Sequence, residues 1–152
     1  DLDGLLQLKQ ASLADISEAR RLNEAASAEL AAIRRTEEVH LLQQTAKTTL
    51  GVTSSKDRRL QLTVNGSFHE VLAKATHNPV LFTTTMSLFP LLEGALAEQP
   101  TPVPKEKQQH LYEDHCQLVE AIRVHDPDQA KQITQRHLIY LESEVYDLST
   151  PL

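Results

Sequence analysis

Three histidines and one asparagine carry the chemistry this sequence could do. The stretch NGSFHEVLAKATHN begins at Asn65 and places His69 four residues on. On a helix, at about 100° per residue, the two lie one above the other. Leu60, Leu62, Val64, Phe68, Val71, Leu72 and Ala75 form a wide apolar arc around them, and Arg59, Glu70 and Lys74 fall opposite. His115 sits amid Leu111, Leu118, Val119 and Ile122. His137 sits amid Ala130, Ile133, Leu138, Leu141, Val145 and Leu148. A polar group in such a place must be satisfied or it destabilises the fold. Neutral imidazoles converging from three helices, with an amide oxygen one turn away, are the donor set of a divalent transition metal. Zinc and nickel lead, and copper, iron and manganese suit three imidazoles to differing degrees. The plainer alternative is three core histidines that bond one another or their neighbours.

The remaining candidates are weaker. His40, His77, His110 and His125 fall on polar faces or helix ends and read as surface residues. Cys116 points about 100° away from His115 and reads as a small packed residue rather than a ligand or nucleophile. A metal enzyme needs a general acid or base beside the metal. Glu24 and Glu144 are the only candidates, and both lie toward stripe edges.

Six helices must position these groups. The first starts near Ser12, an N-cap with Asp15 three residues on, and its apolar positions are Leu13, Ile16, Ala19, Ala26, Leu30 and Ile33. Thr36 caps the second, TEEVHLLQQTAKTTL, and Gly51 closes it. The third runs from about Lys56 to His77. Asn78 and Pro79 launch the fourth, which carries Pro90 inside and should kink or break there. It is apolar over more than one face. QPTPVP is a stiff connector of polyproline character. The fifth helix covers about Lys105 to Val124. Asp126, Pro127 and Gln129 start a sixth that reaches about Leu148. Short loops between helices imply an all-α antiparallel bundle.

Composition narrows the class. A chain of 152 residues, 40% apolar and 24% charged, can bury one core. No unbroken run of about 18 apolar residues predicts a membrane span. A single cysteine excludes an internal disulfide framework and fits a reducing cytoplasm. Net charge is −6, and the nearest thing to a basic cluster is Lys56, Arg58 and Arg59, so these residues alone are a poor nucleic-acid binder. The first residue is Asp1, which suggests a piece of a longer protein.

Three blocks resemble a known family. NGSFHEVLAKATHNPVL is similar to the D-x-x-F-H-x-x-L-x-x-x-x-x-N-x-x-L stretch of the FCD domain, the ligand-sensing C-terminal domain of FadR-type regulators in the GntR family. EDHCQLVEAIRVHDPDQAKQITQRHL resembles the pattern E-H-x-x-[IL]-x-x-A-I-x-x-x-D-x-x-x-A, closing in H-L. EARRLNEAASAELAA resembles the family's opening E-x-R-x-x-x-E helix. The resemblance runs from about Ala11 to Leu148. It implies an antiparallel bundle of six to seven helices, with the effector-binding and dimerisation domain over residues 11–152. Residues 1–10 would be the linker from an absent N-terminal winged helix-turn-helix.

The resemblance also implies metal ligands at Asn65, His69, His115 and His137, and a small organic acid as effector with Arg20 assisting. It implies a cytoplasmic homodimer that meets operator DNA only through the missing domain. Glu24 matches the family's acidic position, where a structural ion pair is an equal reading. The commoner Asp is Asn65 here, so the site loses a negative charge. The leading expectation is therefore a regulator's sensing domain and not an enzyme. A mononuclear metal-dependent hydrolase is the alternative, and a metal-free bundle is the third reading.

Overall fold

The computed structural model describes residues 11–34 and 37–149. Six helices follow in order: α1 Leu13–Arg34, α2 Val39–Gly51, α3 Arg58–Lys74, α4 Pro79–Ala97, α5 Lys105–Arg123 and α6 Pro127–Tyr140. A π-helical turn, Leu141–Val145, extends α6. No strand occurs among the described residues. The all-α bundle is therefore as expected. The proposed linker, residues 1–10, and the proposed cap Thr36 lie outside the described residues.

Local chemistry sets most helix starts. Ser12 and Asp15 bond reciprocally: Asp15 Oδ2 accepts from the Ser12 backbone at 2.8 Å, and Ser12 Oγ accepts from the Asp15 backbone at 3.2 Å. Asp57, Asn78 and Asp126 each accept first-turn N–H groups, which satisfies donors that have no partner inside the helix. Gly51 does not terminate α2 from outside; it is the last helical residue. The left-handed positions after α3 and α5 fall instead to His77 (φ 50°) and His125 (φ 60°).

α1 is central, packing on α3, α4, α5 and α6. Its inner face is not the expected one. Leu13 and Ile16 are buried, but Ala19 is exposed and Ile33 is 57% exposed. Ser17, Arg20, Glu24, Ser27, Ala28, Ala31 and Ala32 point inward instead. Alanines let neighbouring helices approach closely, and Arg20 and Glu24 neutralise each other there. Likewise Leu60, assigned to the apolar arc of α3, is 46% exposed. Arg58 and Gln61 take its place inside.

Those two residues anchor the connector after α4. Arg58 donates to Leu96 O, Thr101 O, Gln99 Oε1 and Val145 O. The Gln61 amide pairs with the backbone of Val103, accepting at 2.8 Å and donating at 3.0 Å. Arg58 is thus an internal tie rather than part of a basic surface.

α4 runs unbroken through Pro90, which is exposed, so water can satisfy what the proline frees. Among the described residues, α4 alone is long and apolar enough to cross a membrane by length and mean hydropathy (1.4), and only 22% of that window is buried. Thr83, Thr84, Thr85, Ser87 and Glu93 interrupt it, and Thr85, Leu88, Leu92 and Leu96 pack inward. The core forms three apolar clusters. α3 gives Phe68 and Leu72 to one and Leu62 to the second, with Asn65 between them in sequence. Leu111, Leu138 and Leu141 form the third.

Candidate metal and ligand site

α3, α5 and α6 bring His69, His115 and His137 together in the core. One nitrogen from each lies within 4.8 Å of the others, and all three residues are buried. The ring centroids of His115 and His137 are 4.8 Å apart, and each lies 5.4 Å from that of His69. Phe68 stacks on His115 at 3.9 Å and fixes its plane.

Each imidazole is held from behind. His115 Nδ1 lies 3.4 Å from Thr49 Oγ1, whose hydroxyl donates to Thr45 O and so accepts from the ring. His137 Nδ1 lies 3.4 Å from Asp114 Oδ2. His69 Nδ1 lies 2.5 Å from Glu24 Oε2, a contact of ion-pair length rather than a regular hydrogen bond. With the proton on Nδ1, each ring presents an Nε2 lone pair. Nε2 of His115 and of His137 is buried without a partner. Outer partners that fix the tautomer in this way are what metal-ligating histidines have.

The protonation states agree. Burial is the largest influence on all three rings. It holds His69 down at about 4, although Glu24 opposes it. His115 lies well below the usual value, lowered further by its two neighbours. His137 is lowered despite Asp114. Neutral rings are the form a metal ion requires.

Asn65, half-buried, lines a cavity of about 10 Å³ together with Arg20, His69, Phe89, Gln108, His137 and Tyr146. Its Nδ2 donates to Gln61 O at 2.7 Å and to Gln108 Oε1 at 3.1 Å, which leaves Oδ1 buried and unpartnered. Arg20 is fully buried. Its Nε donates to Glu24 Oε1 at 2.6 Å, its Nη1 to Tyr146 Oη at 2.9 Å, and its Nη2 has no partner. Burial opposes the charge on Glu24, but Arg20 and then His69 outweigh it and set its pKa at about 2. Phe89 lies under the guanidinium at 5.0 Å. A Cβ on Gly66 would overlap the Phe89 ring edge, so glycine there lets the ring sit close.

His69, His137, Asn65 and Arg20 therefore line one small volume, and His115 adjoins it through the other two histidines. Their unpaired acceptors, Nε2 of His115 and of His137 and Oδ1 of Asn65, fit a divalent cation, whereas Arg20 Nη2 and Gln108 Nε2 are unpaired donors. Two of the other readings change. Glu24 is at the centre rather than a stripe edge, whereas Glu144 is exposed. Cys116 is exposed rather than packed. His40, His77 and His125 are exposed and His110 is half-buried.

A family model described as the FCD domain matches residues 15–139. The chain belongs to the FCD domain family. An HTH-type transcriptional repressor NanR from Edwardsiella tarda is 34% identical over 104 residues, covering 66% of this chain and 38% of that protein. The NanR of Escherichia coli K12 is 36% identical over 74 residues, covering 47% of this chain and 27% of that one. The chain thus spans well under half the length of these curated relatives. A solved structure, Streptococcus agalactiae GntR, superposes with a TM-score of 0.71 over 85% of this chain and 57% of that one. At 22% identity that likeness concerns the fold alone.

Sequence reasoning on this FCD domain missed Asp114, Gln108 and Tyr146. Asp114 is three residues after Leu111 and four before Leu118, so the helical period could have found it. Gln108, three before Leu111, was findable in the same way. Tyr146 follows the π-helical turn, which breaks the period.

Proposed function

We propose that this FCD domain is the effector-sensing and dimerisation part of a bacterial GntR-type transcription regulator. It would bind a divalent transition metal, with zinc or nickel foremost, and a small carboxylate. The observation that carries this reading is the convergence of three neutral imidazoles, each held from behind at Nδ1. His69, His115 and His137 would hold the ion, with Asn65 Oδ1 as a fourth donor. The metal would supply a positive charge that accepts a carboxylate oxygen. Arg20 would take another oxygen through its free Nη2. Operator DNA would be met by a separate N-terminal domain, and the ligand would shift the balance of dimer geometries.

Among the described residues of the site, the hydrolase alternative finds no free base. Glu24 is held by Arg20 and sits behind His69, and its pKa of about 2 is far from a working base near neutrality. Metal analysis of the purified domain, with His69→Ala, His115→Ala and His137→Ala beside it, tests the assignment. One equivalent in the wild type and near loss in each variant is expected. Wild-type protein that takes up no divalent ion would overturn it.

A further inference from the structure

Arg20 presents only half a fork to a ligand. A guanidinium grips a carboxylate best with two parallel N–H groups. Here Nη2 is buried and free, but Nη1 already donates to the Tyr146 hydroxyl. The phenol thus takes one of the two N–H groups of Nη1, and Tyr146 lines the same cavity as the free Nη2. The cavity beside it, about 10 Å³, holds little more than one water. No organic acid fits without movement of a wall. Most of the lining comes from the long helices α1, α3, α5 and α6. Leu141, Val145 and Tyr146 come from the π-helical turn and the extended residue after it. Tyr146 N donates to Leu141 O across five residues, a looser closure than the α-helical one. Several ties hold this turn to the bundle. Glu142 accepts from Ser17 and Arg21, Val145 O accepts from Arg58, and Lys107 reaches Glu144. The bond from Arg20 to the Tyr146 hydroxyl, unlike these, ends inside the site.

We infer that Leu141–Tyr146 is the door of the site and that the Tyr146 hydroxyl is its latch. An entering carboxylate takes Nη1 of Arg20 as well as Nη2, Tyr146 swings out, and the end of α6 reports occupancy. This deepens the acid-sensing reading and rests on it.

The test uses zinc-loaded domain, Tyr146→Phe, and acetate, lactate and citrate as probes, followed by calorimetry and amide hydrogen exchange. Without acid, Tyr146→Phe is expected to speed exchange across Leu141–Asp147 with zinc content unchanged. Any probe that binds is expected to bind the variant roughly twofold to tenfold more tightly, because no phenol competes. It should also speed exchange of the same segment in the wild type. Equal or weaker binding by the variant, or a segment that exchanges identically with and without acid, overturns the latch while the acid reading stands. If no probe binds either protein, the acid reading fails and the displacement fails with it. The exchange of the acid-free variant still shows whether the phenol holds the turn shut.

Discussion

Glu24 Oε2 lies 2.5 Å from Nδ1 of His69, while Glu24 Oε1 accepts from Arg20 at 2.6 Å. One buried carboxylate thus orients a candidate metal ligand and neutralises a candidate effector-binding arginine. Glu24→Gln would leave Arg20 charged, buried and without a counter-ion. Breaking such a pair costs about 3–5 kcal/mol. Urea unfolding should register a loss of that size, and a change within about 1 kcal/mol would show that Arg20 does not depend on Glu24.

Metal removal is expected to destabilise the domain. Without an ion, the unpaired nitrogens of His115 and His137 face each other across the core. An ion bound only by the folded state adds its binding energy to stability. Chelation should lower the melting temperature clearly. His115→Ala should melt near the chelated wild type and should not respond to chelator. A wild-type melting curve that is unmoved after verified metal removal would refute the shared ion.

Acid should destabilise the metal-free protein by a route the sign of the shifts fixes. The folded-state pKa values of all three histidines are depressed below about 6.5. Between about 6.5 and the His69 value of about 4, the unfolded chain takes up protons that the folded one refuses. Stability is therefore present above about 6.5 and declines as pH falls, by up to about 1.4 kcal/mol per unit from His69, with His115 and His137 acting in the same direction. Glu24, depressed to about 2, adds a further loss below about 4.5. Unfolding midpoints that stay flat from pH 7 to 5 would contradict neutral burial.

Asn65→Asp should tighten metal binding and weaken carboxylate binding, since the added negative charge favours a cation and repels an anion. A second cost is visible in the structure. Asn65 Nδ2 donates to Gln61 O and Gln108 Oε1, and an aspartate oxygen there would face two acceptors. The metal-free variant should therefore melt lower than metal-free wild type, with the gap narrowing on metal addition. Paired titrations, metal first and acid second, decide it. Equal acid affinity in the two proteins would refute the charge argument.

The outer face of α4 should support a dimer. Val80 is 71% exposed and Met86 36% exposed on a helix that is mostly apolar. Twofold pairing would cover such a face. Sedimentation at micromolar concentration is expected to show dimer, and Val80→Glu with Met86→Glu should shift it to monomer. Monomer alone in the wild type would remove the dimer from the isolated domain.

The helices, the caps Ser12, Asn78 and Asp126 and the three inward histidines were legible in the sequence, because period and capping are local properties of consecutive residues. Asp126, Pro127 and Gln129 start α6 wherever it packs. What the sequence could not decide was which side of α1 is inside. Its large apolar residues Leu22 and Ile33 face out while Arg20 and Glu24 face in. Burial of those charges is tolerable only because each is satisfied by the other and by His69 and Tyr146, residues 45 or more positions away in the chain. The same holds for Arg58 and Gln61, whose partners lie across the bundle on the connector. Hydropathy counts a residue's own cost of leaving water, whereas tertiary structure supplies the partners that cancel it.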